Sequence, residues 1–283
     1  METIAYEPAV RLLSFLGVLV LMALWERVAP RRRLSASKLL RWLSNLGLTA
    51  VNSALVRGIS TLGAVGVAIE SQRQGWGFFN HVAIHPWVST ALSVVVLDLV
   101  IYLQHVMFHA IPLLWRLHMV HHADPDVDLT TGLRFHTIEI LLSLGVKSLS
   151  IILLGAPPLG VLVFEVLLNA TSIFNHSNIK MPPRLDSALR LLVVTPDMHR
   201  IHHSTIPNET NSNFGFNLPW WDYLLGTYRP QPSNPHETMS LGLSQVDTYR
   251  AVRLPWMLVM PFVRNLGSYP INRRRLADDA GDT

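Results

Sequence analysis

The pattern His-x-x-His-His occurs twice in this chain, as His118-x-x-His121-His122 and as His199-x-x-His202-His203. Histidine makes up 13 of 283 residues, so a random chain of this composition is expected to contain the pattern only about 0.03 times. Residues i, i+3 and i+4 of a helix share one face, and each motif is therefore expected to aim three imidazoles at one point. Packing has no use for three such side chains on one face, so the pattern predicts metal binding.

Four further histidines lie close in sequence to these motifs. They are His105, His109, His136 and His176. With the six motif histidines they make ten candidate ligands, whereas one metal ion accepts at most about six. The sequence therefore predicts two ions, with His136 either a ligand or a supporting residue. Imidazole binds iron, copper, zinc and nickel, and the ligands alone do not choose among these metals.

Apolar segments long enough to cross a bilayer set the fold class. Hydrophobic residues make up 49% of the chain and charged residues 15%, against about 25% charged residues in a typical soluble domain. A membrane-spanning helix needs about 20 apolar residues. Candidate spans cover about 9–25, 46–68 and 88–103, and a longer apolar region, 138–174, is broken into two helices by Gly155-Ala156-Pro157-Pro158. We expect an all-α integral membrane protein with about four to five transmembrane helices.

Basic residues between the first and second spans predict the orientation. Arg31, Arg32, Arg33, Lys38 and Arg41 all lie there, and loops rich in arginine and lysine face the cytoplasm. Counting the spans onward from this loop places every clustered histidine on the cytoplasmic side as well. The expected architecture is therefore a multi-pass bundle with a cytoplasmic, histidine-rich helical cap.

Other features narrow the class of metal site. The chain has no cysteine, which excludes thiolate zinc sites and iron–sulfur clusters. The metalloprotease motif His-Glu-x-x-His is missing, since His236-Glu237 is followed by Ser240 at the second histidine position. A metal transporter would place its ligands near the middle of the bilayer, whereas these histidines lie at the helix ends. A zinc-dependent membrane lipid hydrolase remains as the alternative to an oxidoreductase, and nothing in the sequence indicates a nucleic-acid partner.

Polar side chains near the histidines are candidates for orienting the imidazoles. A metal-bound histidine usually donates its second ring N–H to a nearby acceptor. The candidates for this role are Asp98, Glu139, Asn178 and Asp197. Asp98 lies within an apolar span, where a charge is costly and therefore usually functional. Lys147 lies in another apolar span, and the sequence gives it no role.

Further residues flank the histidines in a recognisable order. They include Trp115-Arg116, Arg134-Phe135-His136-x-x-Glu139, His176-Ser177-Asn178, Thr195-Pro196, Asn213-Phe214-Gly215 and Trp221-Asp222-x-Leu224-x-Gly226-Thr227-Tyr228. With the histidine motifs, and over about residues 98–228, they resemble the fatty acid hydroxylase (sterol desaturase) superfamily of membrane di-iron proteins. One departure is Phe214, where relatives often carry tyrosine.

The resemblance implies an O₂-dependent enzyme that holds two iron ions and hydroxylates or desaturates a C–H bond of a membrane lipid. The implied substrate is a sterol, fatty acyl, sphingoid or ether lipid, and zinc can replace iron in preparations of such proteins. The chain has no His-Pro-Gly-Gly haem motif. We therefore expect the electrons from a separate carrier, either a cytochrome b5-like protein or a ferredoxin with its reductase.

The expected organisation has three parts. Residues 1–90 form N-terminal transmembrane helices and a linker, residues 91–230 form the di-iron catalytic domain, and residues 231–283 form a C-terminal interfacial segment and tail. The last part is apolar over 254–266 but contains Pro255 and Pro261. Prolines interrupt helices, so this stretch is predicted to lie at the interface or to pack against the protein rather than to span the membrane.

Overall fold

The computed structural model describes residues 6–59 and 63–263, and every regular element within them is a helix. Five apolar helical segments are long enough to cross a membrane: Glu7–Val28, Lys38–Asn80, Pro86–Ala110, Thr137–Leu154 and Pro158–His176. The second segment includes residues 60–62, which lie outside the described part. The prediction of an all-α, multi-pass membrane protein with four to five transmembrane helices is confirmed.

The α-helices of the described residues are numbered in chain order. They are α1 (Glu7–Val28), α2 (Lys38–Ile59), α3 (Gly63–Arg73), α4 (Pro86–Ala110), α5 (Pro112–His122), α6 (Thr137–Leu154), α7 (Pro158–His176), α8 (Pro183–Leu189), α9 (Pro196–His202), α10 (Pro207–Thr210), α11 (Trp220–Leu224), α12 (Thr248–Ala251) and α13 (Leu254–Val259). Several begin with proline in the first turn, where its missing N–H is not needed. Helices α4 and α7 pack together at the centre, with α1, α3 and α6 around them.

At one end of the bundle, the turn between α6 and α7 packs against the loop after α3. Gly77 and Gly155 approach so closely there that an ideal Cβ on Gly77 would lie 2.2 Å from the backbone N of Gly155. Gly77 also has a φ of +87°, which side chains other than glycine rarely adopt. Two glycines therefore allow direct contact between backbones at this end.

At the other end, the chain after α1 pairs with the chain after α7. Arg31 N donates to the carbonyl of Asn178 at 2.9 Å, and Lys180 N donates to the carbonyl of Ala29 at 2.8 Å. Helix α7 ends here at His176. The basic loop between α1 and α2 thus lies at the same end of the bundle as the histidines.

Helix α2 begins earlier than hydropathy predicts. The expected span started near residue 46 and ended near 68, whereas α2 begins at Lys38 and the far limit falls inside α3. Arg41 explains the early start, because it is fully buried and forms ion pairs with Asp124 at 2.7 Å and with Asp128 at 2.6 Å. These contacts compensate the buried charge. The polar first turn therefore packs against the loop after α5.

The C-terminal segment packs onto the protein. Helix α13 and the 3₁₀ turn Met260–Phe262 lie against α2 and α5. Met257 and Met260 are buried there beside Leu48 and Trp115. The predicted tail falls within residues 264–283, which lie outside the described residues.

Candidate metal centre

Nine of the ten candidate histidines lie together at one end of the bundle, and all nine are buried. Helix α4 contributes two of them, α5 contributes three, α7 one and α9 two, and the ninth directly follows α9. They form two groups, and within each group one ring nitrogen per residue lies within 4.8 Å of all the others. The five-histidine group contains His105, His109, His118, His122 and His202, and the four-histidine group contains His121, His176, His199 and His203.

Each His-x-x-His-His motif divides between the two groups, so the expectation that it aims three imidazoles at one point is wrong. His118 and His122 belong to the five-histidine group, whereas His121 belongs to the other. The second motif divides in the opposite sense, giving only its middle histidine to the five-histidine group. Successive residues of a helix are about 100° apart, whereas i and i+4 differ by about 40°. Neighbouring histidines therefore diverge, and each motif joins the two groups.

The spacing of ring nitrogens in the five-histidine group matches that around one metal ion. Nε2 of His105 lies 3.1 Å from Nε2 of His118, and Nε2 of His109 lies 3.1 Å from Nε2 of His122. Two nitrogens at about 2.0–2.1 Å from an ion, in adjacent tetrahedral or octahedral positions, are about 2.8–3.4 Å apart. These residues therefore fit a bound metal ion.

The four-histidine group meets the same test. Nε2 of His176 lies 3.1 Å from Nε2 of His121 and 3.2 Å from Nε2 of His199. Among the described residues, neither ring nitrogen of His203 has a hydrogen-bond partner. A buried polar atom without a partner is costly. A metal ion held by this group would use one of these two nitrogens.

Burial keeps the imidazoles neutral. It lowers the pKa of His118 to about 3. It also lowers the pKa far below the ordinary value, with repulsion between neighbouring imidazoles as a further cause, for His121, His122, His199, His202 and His203. A neutral imidazole offers the lone pair that a metal ion needs.

The segment 211–214 supplies hydrogen-bond acceptors to three members of the five-histidine group. An acceptor on Nδ1 fixes the tautomer and leaves Nε2 to face an ion. The contacts are Phe214 O with His105 Nδ1 at 2.7 Å, Ser212 O with His202 Nδ1 at 2.8 Å, and Asn211 Oδ1 with His109 Nδ1 at 3.3 Å.

Asp222 holds this segment in place. Its carboxylate accepts hydrogen bonds from the backbone N–H of Phe214 at 2.8 Å, from that of Gly215 at 2.9 Å and from the Thr227 hydroxyl at 2.6 Å. Burial raises the pKa of Asp222 to about 6. Because the carbonyl of Phe214 in turn accepts from His105, Asp222 supports the metal centre without touching it.

Of the four side chains predicted to orient the imidazoles, Glu139 alone contacts one of the nine histidines within the described residues. Its Oε1 accepts from Nδ1 of His118 at 2.7 Å. The other three join separate chain segments: Asp98 accepts from Trp221 Nε1, Asp197 pairs with Arg31 and Arg200, and Asn178 bonds the backbone of Arg32. Asp197 does not orient His199, because it lies two residues earlier and therefore on the opposite face of α9.

His136 lies outside both groups. Its Nδ1 accepts from the backbone N–H of Ile138 at 3.2 Å and so caps α6, and its Nε2 lies 3.2 Å from the carbonyl of Leu258. Both ring nitrogens are therefore used in structural hydrogen bonds. We do not include His136 among the ligands that we propose.

The two residues before His136 contact α5, the helix that carries the first motif. Phe135 stacks on His121, with ring centroids 4.5 Å apart and planes 11° from parallel. Arg134 is fully buried and donates to the carbonyl of Val120 at 2.7 Å, between two histidines of the first motif. This part of the sequence therefore positions α5 rather than supplying a metal ligand.

A cavity of about 350 Å³ opens onto the five-histidine group. His105 and His118 line its floor, and its walls come from α2, α4, α6 and α7. Hydropathy does not reveal such a cavity, because each wall helix is a predominantly apolar span. The cavity is the candidate substrate site.

Comparisons with known proteins agree with this arrangement. An ornithine lipid hydroxylase, OlsE, from Rhizobium tropici is 28% identical over 228 residues, which cover 78% of this chain and 68% of that protein. Alkylglycerol monooxygenase of Xenopus tropicalis is 26% identical over 66% of this chain, and cholesterol 25-hydroxylase of Rattus norvegicus is 29% identical over 50% of it. The aligned regions span 41% and 47% of those two relatives. No solved structure matches the chain.

The family model for fatty acid hydroxylase matches residues 90–227. That match contains all nine grouped histidines, together with Glu139 and the segment 211–214. The resemblance found in the sequence is confirmed. Residues 90–227 of this chain match the fatty acid hydroxylase domain that the family model describes.

Proposed function

We propose that this protein is an O₂-dependent membrane oxidoreductase that holds two iron ions, one in each histidine group, and oxidises a C–H bond of a lipid. The observation that carries the proposal is the pair of buried histidine groups, one of which, the five-histidine group, forms the floor of a cavity. The names of the relatives, which are hydroxylases or monooxygenases of lipid compounds, support it. No finding favours the hydrolase alternative.

Iron held by neutral imidazoles supplies the redox chemistry that makes O₂ reactive toward an unactivated C–H bond. Hydroxylation consumes O₂, two electrons and two protons and gives an alcohol and one water, whereas desaturation gives an alkene and two waters. The electrons come, in this proposal, from a separate cytochrome b5-like protein or a ferredoxin with its reductase.

The chain itself positions the lipid and excludes water. His105 and His118 line the cavity, so the carbon to be oxidised would lie at this floor. Phe108 and Phe135 also line the cavity. Their rings, together with the burial of the histidines, keep bulk water from the reacting carbon.

An oxygen-dependence experiment tests this function. Lipid extract is incubated with iron-loaded protein, a reductant and either air or nitrogen, and the lipids are read by mass spectrometry. We expect products that gain one oxygen or lose two hydrogens, only in air, and none from a His202→Ala control. Lipid cleavage that continues under nitrogen with zinc-loaded protein would contradict the proposal.

We also propose that the centre faces the cytoplasm, since the basic loop lies at the histidine end of the bundle. The chain has no cysteine, so one introduced cysteine reports its side of the membrane uniquely. Arg33 and Gln74 are exposed and lie toward opposite ends of the bundle. In intact cells, a membrane-impermeant maleimide should label Gln74→Cys and spare Arg33→Cys, and the reverse result would refute this orientation.

A further inference from the structure

Polar residues of the spans form stripes along the cavity. Glu139, Ser143 and Lys147 recur every four residues on α6, and they therefore share one helical face. Glu165 and Asn169 have the same spacing on α7. All five line the cavity, and the rest of both helices is apolar enough to cross a membrane. Polar side chains therefore run the length of one side of a cavity whose remaining lining is mostly apolar.

The end of the cavity away from the histidines carries a charge network, which we call the roof cluster. Glu165 accepts hydrogen bonds from both Lys147 and Arg11. Arg11 also pairs with Glu7 at 3.1 Å. The cluster therefore contains two cations and two carboxylates and carries no net charge. Charges within membrane spans are costly, and they usually mark functional sites.

The roof cluster lies about 12 Å from the floor of the cavity. Glu139 bonds His118 at the floor. Lys147 lies eight residues further along the same helix, about 12 Å away at 1.5 Å per residue. A group that spans this distance can contact the roof cluster while one of its carbons lies at the histidines.

Two polar atoms of the cavity lack partners. Among the described residues, no hydrogen bond reaches Oε1 of Gln104 or Oε2 of Glu139, although both atoms are buried. Both residues line the cavity. A hydrocarbon chain in this space would leave these acceptors unpaired, which is unfavourable, whereas a headgroup with N–H or O–H donors would pair them.

We propose that the cavity binds the headgroup of a zwitterionic membrane lipid, one that carries a primary ammonium and an acidic group. The headgroup's acidic group binds Lys147 and Arg11, and its ammonium binds Glu165. A headgroup without net charge preserves the balance of the roof cluster, whereas a purely acidic one brings an uncompensated charge into a low-dielectric site. This inference rests on the proposed function, and it places the oxidised carbon about 12 Å from the headgroup, at the histidine end of the cavity.

Binding calorimetry with short-chain lipids tests the inference without turnover. The probes are dihexanoyl-phosphatidylethanolamine, dihexanoyl-phosphatidic acid and dihexanoylglycerol, added to the full-length, iron-loaded protein. We expect the first to bind at least about tenfold more tightly than the other two. Equal binding of the three lipids, or a preference for dihexanoylglycerol, would overturn the proposal.

Two variants test whether the lipid headgroup binds at the roof cluster. Lys147→Met should weaken binding of the phosphatidylethanolamine about tenfold and leave that of dihexanoylglycerol unchanged. Arg73→Met is the matched control, since Arg73 is an exposed cation of α3 outside the cavity, and it should change neither affinity. If Lys147→Met does not fold, the charge-balanced pair Lys147→Met with Glu165→Gln replaces it with the same expectation. An unchanged affinity in the folded variant contradicts the proposal.

The test of headgroup binding and the test of lipid oxidation can fail independently of each other. Iron content and oxidation of a lipid extract are measured on the same samples. Oxidation without a headgroup preference would overturn this inference alone. A headgroup preference without any O₂-dependent oxidation would overturn the proposed function and leave the binding site in place.

Discussion

The two histidine groups are built from the same sequence motifs, yet the protein holds them differently. In the five-histidine group, four imidazoles have Nδ1 hydrogen-bonded to an acceptor: His105, His109, His118 and His202. In the four-histidine group only His176 has such a bond, to the carbonyl of Ser172 at 2.7 Å. Among the described residues, Nδ1 has no hydrogen-bond partner in His121, His199 or His203.

This difference indicates different roles for the two groups. An acceptor on the second ring nitrogen fixes the orientation of an imidazole before any metal binds. The five-histidine group is therefore pre-organised, and it is also the group that faces the cavity through His105 and His118. No member of the four-histidine group lines that cavity in the described part of the chain. We infer that its imidazoles depend on a bound ion for their order.

Removal of one ligand from either group has the largest expected effect. His202 and His203 are adjacent in sequence but belong to different groups, so His202→Ala and His203→Ala form a matched pair. If each group holds one ion, as we propose, each variant is expected to abolish turnover and to reduce bound iron from about two ions per chain to about one. His118→Ala and His121→Ala should repeat the result. Full turnover in any of these variants would contradict the assignment of that group.

A change at Glu139 should affect one group only. Glu139→Ala removes the acceptor that orients His118, and loss of such a partner typically weakens metal binding about 10- to 100-fold. Iron affinity of the five-histidine group should fall by that amount, as measured by titration of the metal-free protein. Glu139→Gln keeps an oxygen at this position and is expected to have a smaller effect. Equal losses from the two groups would show that Glu139 acts on overall stability instead.

Chelation of the unmodified protein should show directly that the two histidine groups bind iron with different affinities. Because the four-histidine group has fewer fixed imidazoles, we expect its ion to leave first. Increasing chelator concentration should remove iron in two steps whose affinities differ about tenfold. In the His203→Ala variant, the step that removes the weakly bound ion should disappear. If the unmodified protein instead loses both ions in a single step, the two groups bind iron equally.

The smallest effect is expected at His136. Its ring caps α6 and lies outside both groups, so His136→Ala should retain both iron ions. Loss of a helix cap costs about 1 kcal/mol of unfolding free energy, which thermal unfolding would register as a small decrease in Tm. Loss of iron from this variant would restore His136 as a candidate ligand.

The sequence predicted which histidines lie together where the signal is a side chain with a fixed period. The two motifs and the pair His105 and His109 all lie in the observed groups. The division of each motif follows from the helical period, whereas the histidines that complete each group depend on where α4 and α7 lie in the bundle. The contact from the carbonyl of Phe214 to His105 gives no sequence signal either, since every residue has a carbonyl.

The roof cluster gives a signal that sequence reasoning missed. Lys147 and Glu165 are each nine residues from Ala156, which lies in the turn between α6 and α7. In a helical hairpin, residues at equal distances from the turn lie side by side. The opposite charges at these two positions would therefore have been enough to predict the ion pair between Lys147 and Glu165 that the structure contains.

We propose that each of the two histidine groups holds one iron ion. Anomalous diffraction at the iron absorption edge, from crystals of the iron-loaded protein, would locate these ions. We predict two anomalous peaks, one among the Nε2 atoms of His105, His109 and His118 and one between His176 and His199. A single peak shared by all nine histidines, or a peak beside His136, would contradict the account.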